Sequence, residues 1–183
     1  MHHVLKRHPA SNGFAAAHVE VDIARPREGH LVFSYIVTGK MGDIRLPPTM
    51  PAVRTDNLWQ HTCFEAFIRE ASGHSYYEFN FSPSTQWASY RFDYYRSGMR
   101  VAGDVGAPPI VQSDLGACTL EVSLALDRLT ELSTDVSWRL GLSALIEDQN
   151  GGKSYWALAH PLGKPDFHHA DCFAIEFSPA VLS

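Results

Sequence analysis

Three segments between Cys63 and Phe92 alternate apolar and polar residues, with two short turn-like breaks between them. That is the pattern of an antiparallel meander with one buried face. The first segment sets Phe64, Ala66 and Ile68 on its apolar side, and the second sets Tyr77, Phe79 and Phe81 there. Side-chain direction in a strand repeats every two residues, so a one-residue slip would send a whole set to the other face. A turn centred on Ser72–Gly73 keeps the two sets together, pairing Phe64 with Phe81 and Ala66 with Phe79. The turn at residues 83–86 is expected to pair Phe81 with Ala88, Phe79 with Tyr90 and Tyr77 with Phe92. The opposite face then gathers Glu65, Glu78, Asn80, Trp87, Ser89 and Arg91 into one patch, with Glu78 beside Arg91.

The rest of the chain reads in the same terms. Residues 1–17 form a loose lead-in with weak pattern. His18–Arg25 alternates as a half-buried strand, and His30–Thr38 is apolar on both sides, as a strand covered on both faces would be. Residues 39–57 carry Pro47, Pro48 and Pro51, which remove ladder donors and stiffen a long ordered loop. The stretch 97–116 is rich in glycine and proline, with one short strand expected near Ile110–Gln112. Strands are expected at Cys118–Leu126, Trp138–Asp148, Ser154–Leu158 and Cys172–Phe177, with a helical turn or two at Asp127–Leu132. About nine strands, short turns and little helix predict an all-β fold, a two-sheet antiparallel β-sandwich of jelly-roll type.

Composition narrows this picture. A chain of 183 residues with 45% hydrophobic and 19% charged residues is expected to fold as one domain, 1–183. The net charge of −5 argues against a nucleic-acid partner. No apolar run approaches the ~20 residues of a membrane-spanning helix, and no signal-like apolar segment follows the basic start, so a soluble cytoplasmic protein is expected. The three cysteines, Cys63, Cys118 and Cys172, sit inside apolar runs without zinc-ligand spacing and read as reduced, buried thiols.

The polar face is where chemistry is expected. One reading is a solvated outer face with a cross-strand Glu78–Arg91 pair. The other is a sugar site: carboxylates, an amide and a guanidinium match hydroxyls, and an indole packs on the apolar side of a pyranose. Glu65 and Glu78 also raise glycoside hydrolysis, which needs two carboxyl groups about 5–9 Å apart. Arg54 and Asp56 end the proline loop, where they could reach a ligand on the sheet or form a surface ion pair. Trp59 and His61 precede the first meander strand, where Trp59 could sit at the mouth of the face or pack in the core. His160, His168 and His169 lie in a Pro/Gly-rich loop that fits no common metal motif and gives only weak ligand candidates. A face docking a partner protein remains a further reading.

The segments DNLWQHTCFEAFI, YYEFNFSPSTQWASYRFDYYR and SYWALAHPLGKPDFH resemble the bacterial DOMON-like domains. Those are similar to family 9 carbohydrate-binding modules and to DOMON domains that hold sugar or haem. The resemblance covers nearly the whole chain. It implies a two-sheet β-sandwich with a small ligand on a concave face or at one end. It makes Trp59 and Trp87 candidate sugar-stacking platforms. For haem, it leaves Met99 and the His160–His169 loop as loose candidate ligands.

Overall fold

A computed structural model describes residues 1–103, 109–114 and 116–178, and thirteen strands form among them. In chain order these are β1 (His2–Val4), β2 (Lys6–Arg7), β3 (Ala16–Ala24), β4 (His30–Gly39), β5 (Cys63–Glu70), β6 (Tyr76–Phe81) and β7 (Trp87–Phe92). There follow β8 (Arg100–Val101), β9 (Ile110–Ser113), β10 (Ala117–Ala125), β11 (Trp138–Glu147), β12 (Lys153–Ala157) and β13 (Ile175–Phe177). Among the described residues, helix is confined to single 3-10 turns such as Leu58–Gln60 and Ala170–Cys172. Residues 104–108 and 115 of the glycine- and proline-rich stretch, and 179–183 of the expected single domain, lie outside the description.

The strands build two sheets. One runs β1-β3-β4-β10-β9; the other runs β2-β12-β11-β5-β6-β7-β8, with β13 beside β11. The all-β, two-sheet antiparallel architecture is the one the alternation predicts. Strands beyond the expected nine are mostly short. β1, β2 and β8 have two or three residues each, too few for alternation to show. They also correct the reading of residues 1–17 as loose. β1 pairs with β3, β2 pairs with β12, and Leu5 between them is buried in the core.

The main core lies between the sheets. Val19, Val21 and Ile23 of β3, Phe33 and Tyr35 of β4 and Leu120 and Val122 of β10 meet Phe64, Phe79, Leu140 and Leu142 of the larger sheet. Burying each such side chain contributes roughly 1.5–3 kcal/mol. The Tyr35 hydroxyl donates to the Glu65 carbonyl, 2.8 Å away, which ties the sheets together directly beneath the polar face. β4 is central in its sheet, yet Val32, Ser34, Ile36 and Thr38 on its outer side remain half-buried. The strands covered on both faces are β5, β6, β7 and β11 instead, because loops lie across the outside of the larger sheet.

The β5–β6 register is the expected one, with Phe64 opposite Phe81 and Glu65 opposite Asn80. The β6–β7 register differs by one residue. Phe81 faces Trp87, Asn80 faces Ala88, and Glu78 faces Tyr90. The cause is the connection. The Ser82 amide donates to the Gln86 carbonyl and leaves a three-residue loop, 83–85. Thr85 closes it in the left-handed region at φ 75°. This is the three-residue hairpin solution, in which the last loop residue takes a positive φ. A β-branched threonine gives no sequence signal for that conformation. Every β7 side chain is therefore turned over: Trp87, Ser89 and Arg91 point with the inner face, and Ala88, Tyr90 and Phe92 join Glu65, Glu78 and Asn80 outside.

Gly39 marks a backbone requirement at the β3–β4 bulge. It has φ 151°, and a Cβ there would meet the Ala15 carbonyl oxygen at 2.3 Å. Gly39→Ala is expected to cost at least about 2 kcal/mol in urea denaturation. Unchanged stability would contradict the close approach.

Candidate functional site

The outer face of the larger sheet is the floor of a cleft of about 930 Å³. Glu65, Glu78, Tyr90, Phe92, Leu145 and Tyr155 reach it from the strands. Three loops make the walls. The proline loop contributes Asp56, Asn57 and Trp59. Asn57 takes a left-handed conformation at φ 64°, which asparagine tolerates better than most residues. The 3-10 turn that follows buries Leu58 and leaves Trp59 half exposed at the cleft mouth. The β7–β8 loop adds Arg96 and Met99, and the histidine loop adds Pro165, Phe167 and His168.

The last two walls are fastened to each other. Asp166 accepts from Arg96 Nη2 at 2.7 Å and from the Tyr95 hydroxyl. Beneath them a second apolar cluster joins Leu58, Phe67, Tyr76, Tyr90, Phe92 and Phe173. His168 packs edge-on against Phe67, Tyr76 and Phe92 within this layer.

The floor is polar and dry. Glu65, Glu78 and Asn80 are 4%, 6% and 0% exposed. Asn80 Nδ2 donates to Glu78 Oε1 at 2.7 Å. The Tyr76 hydroxyl accepts from the Arg96 amide and bonds His168 Nδ1 at 2.8 Å. Tyr76 then donates to Nδ1, which leaves the ring proton on Nε2, 3.6 Å from Glu78 Oε2. The donor beside Glu65 is the Ser143 hydroxyl, opposite it on β11. The contact is too poor in geometry for a full hydrogen bond, and no other donor reaches the carboxyl among the described residues.

These surroundings separate the titrating groups. Burial, and then the negative charge of Glu78, push the Glu65 carboxyl well above the usual range; Ser143 and Arg96 pull the other way and are outweighed. Burial also raises Glu78, but the Asn80 amide and Arg96 oppose it. Burial and the Arg96 charge push His168 down to about 4, so it is neutral near pH 7. Burial thus favours the protonated form more strongly at Glu65 than at Glu78.

The expected site residues fall into two groups. Glu65, Glu78 and Trp59 come together at the cleft, and Asn80 lies fully buried beneath it, donating to Glu78. Trp87, Ser89 and Arg91 do not, because the three-residue hairpin turns β7 over. Trp87 packs against the main core. Ser89 donates to the carbonyls of Ala102 and Gly103. Arg91 pairs with Glu131 at 2.9 Å and lies over the Tyr77 ring, so no Glu78–Arg91 pair exists. Arg54 stands behind the rim, bound to Asp56 at 2.6 Å and lying over Tyr90.

Of the loop histidines, only His168 reaches the cleft. His160 holds the Lys6 carbonyl at 2.8 Å, and His169 caps the Asp171 amide. Met99 and His168 share the cleft, but they do not fit a haem ligand pair. Met99 is 63% exposed on the rim, and both His168 nitrogens already face protein groups. No cluster that could hold a metal ion is present among the described residues. No described helix is long and apolar enough to cross a membrane.

Comparison with known proteins adds the fold relationship. No protein-family model matches the chain, and no curated protein matches it. Two solved structures share the architecture. A protein from Bacteroides uniformis to which carbohydrate binding is ascribed superposes with a TM-score of 0.65 at 15% identity, over 94% of this chain and 83% of that one. A family 9 carbohydrate-binding module from Caldicellulosiruptor kristjanssonii, solved with glucose, superposes with a TM-score of 0.53 at 12% identity, over 98% of this chain and 86% of that one. At these identities the likeness establishes a shared sandwich fold.

A carboxyl whose pKa is raised by folding binds its proton more tightly in the folded chain than in the unfolded one. Its unfavourable contribution is absent below the ordinary glutamate range and grows as pH rises above it. Glu65→Gln is therefore expected to raise Tm at pH 7.5 by more than at pH 4.5. A gain of about 2–4 °C corresponds to about 1 kcal/mol for a chain of this size. An equal or smaller gain at pH 7.5 would show that Glu65 is not strained by burial.

Proposed function

We propose that this chain is a non-catalytic domain that binds a sugar or sugar-like small molecule in the cleft over β5, β6 and β7. One observation carries the reading. The floor presents two nearly buried carboxyl groups, and aromatic side chains line the same cleft: Trp59, half exposed on the proline loop, Phe167 on the histidine loop and Tyr155 on the sheet. Carboxyl groups read the directions of hydroxyls, and rings cover the apolar faces between them. The cleft volume lies within the range of small-molecule sites. The sandwich shared with the two carbohydrate-linked structures is consistent with this use of the fold.

Glycoside hydrolysis is the second reading, favoured by the unequal environments of Glu65 and Glu78. Two carboxyls with separated proton affinities are what an acid and its partner require. Binding ranks above it because only a weak Ser143 contact holds the Glu65 carboxyl, and a catalytic acid needs firmer support. Incubation with chromogenic glycosides separates the readings: turnover abolished by Glu65→Gln would establish the enzyme.

For binding, the test is titration calorimetry with a panel of mono- and disaccharides. Trp59→Ala is expected to weaken the best ligand by about tenfold, the value of a lost ring stack of roughly 1.4 kcal/mol. Saccharides bound equally well by wild type and Trp59→Ala would place the site elsewhere.

A further inference from the structure

The cations at the cleft already have acids of their own. Arg96 is held by Asp166, Arg100 by Asp93 and Glu131, and Arg54 by Asp56. Glu65 and Glu78 are left over. No arginine or lysine pairs with either among the described residues; the nearest basic group is the neutral His168 ring, 3.6 Å from Glu78. Glu78 at least accepts from Asn80. Glu65 is 4% exposed, lines the cleft and has only the weak Ser143 contact beside it. Buried polar groups in folded proteins find partners, and a poorly satisfied acid is costly. The cleft is the side from which a strong donor can reach it.

We infer that the ligand carries a protonated amine, as an amino sugar does, and that its ammonium group lies between Glu65 and Glu78. The inference rests on the sugar-binding reading of this cleft and narrows its ligand. An ammonium supplies three donors and no acceptor, which matches two carboxylates and does not compete with the Asn80 amide. Trp59, half exposed at the same cleft, offers a ring face that attracts a cation. A neutral hexose would leave the excess acid uncompensated.

The charge balance also sets a pH dependence. The groups sharing the cleft with the pair are Arg96 from the β7–β8 loop, Arg100 on β8, His168 from the histidine loop, Asp56 from the proline loop, Tyr90 on β7 and Tyr155 on β12, with Ser143 of β11 opposite Glu65. Of these, Arg96, Arg100 and Asp56 are charged near neutrality, and all three are already paired. The ammonium is attracted to the fully ionised pair, so its binding opposes protonation of either carboxyl. Affinity for the amine then rises from pH 5 to pH 7, and affinity for a neutral sugar does not.

The test is calorimetry of the full chain with D-glucosamine, D-glucose and N-acetyl-D-glucosamine at pH 5 and pH 7. At pH 7 glucosamine is expected to bind at least about tenfold more tightly than either neutral sugar. It should bind more weakly at pH 5 and release a proton detectable as a buffer-dependent heat. Glu65→Gln, or Glu78→Gln should the first variant fold poorly, is expected to reduce the amine preference to about threefold or less. Equal affinity for all three sugars would overturn the inference and leave sugar binding standing. Tight glucose binding with no gain for the amine would do the same. Binding of none of the three would count against both.

Discussion

The structure depends on the double coverage of four strands. β5, β6, β7 and β11 have the second sheet on one side and three loops on the other. The polar side chains of their outer face that lie beneath those loops, Glu65, Glu78, Asn80 and Ser143, are consequently buried. The charged form of a carboxyl is costly in such a place unless a partner is supplied. Glu78 receives an amide from Asn80 and the edge of His168, whereas Glu65 has only a weak contact from the Ser143 hydroxyl. The chemistry of the cleft follows from that imbalance.

The loops are held in place by polar contacts between distant parts of the chain. Asp166 joins the histidine loop to Tyr95 and Arg96 of the β7–β8 loop. Tyr76 joins both to the sheet through His168 and the Arg96 amide. Asp56 fixes the proline loop to β7 by accepting from the Tyr90 hydroxyl at 2.5 Å. The walls therefore belong to one network anchored on β6 and β7, and Trp59 is carried on a wall that is itself pinned. Such an arrangement favours a preformed cleft over one assembled by its ligand, which keeps the ordering cost of binding low.

The local pattern in the sequence determined the sandwich, the β5–β6 register and the grouping of Glu65, Glu78 and Asn80. Strand alternation is a short-range property, and burial enforces it. The carboxylates were legible as a pair for the same reason. The short strands at the start of the chain were not legible, because two or three residues carry no period. The β7 orientation was not legible either. It turns on one threonine adopting a left-handed backbone, a choice worth little locally and made by the surrounding sheet.

Tertiary structure alone decided what surrounds the acids. It brought Tyr90 and Phe92 in where Ser89 and Arg91 were expected. It also carried His168, Arg96 and Trp59 to the cleft across long separations in sequence. Their signals, a tyrosine-rich β7–β8 loop and a histidine in a proline-rich segment, become informative only once both segments are known to lie over the same sheet. Alternation states which side of a strand a residue occupies. It says nothing of whether that side meets water, another sheet or a loop, because coverage is a property of the whole folded chain.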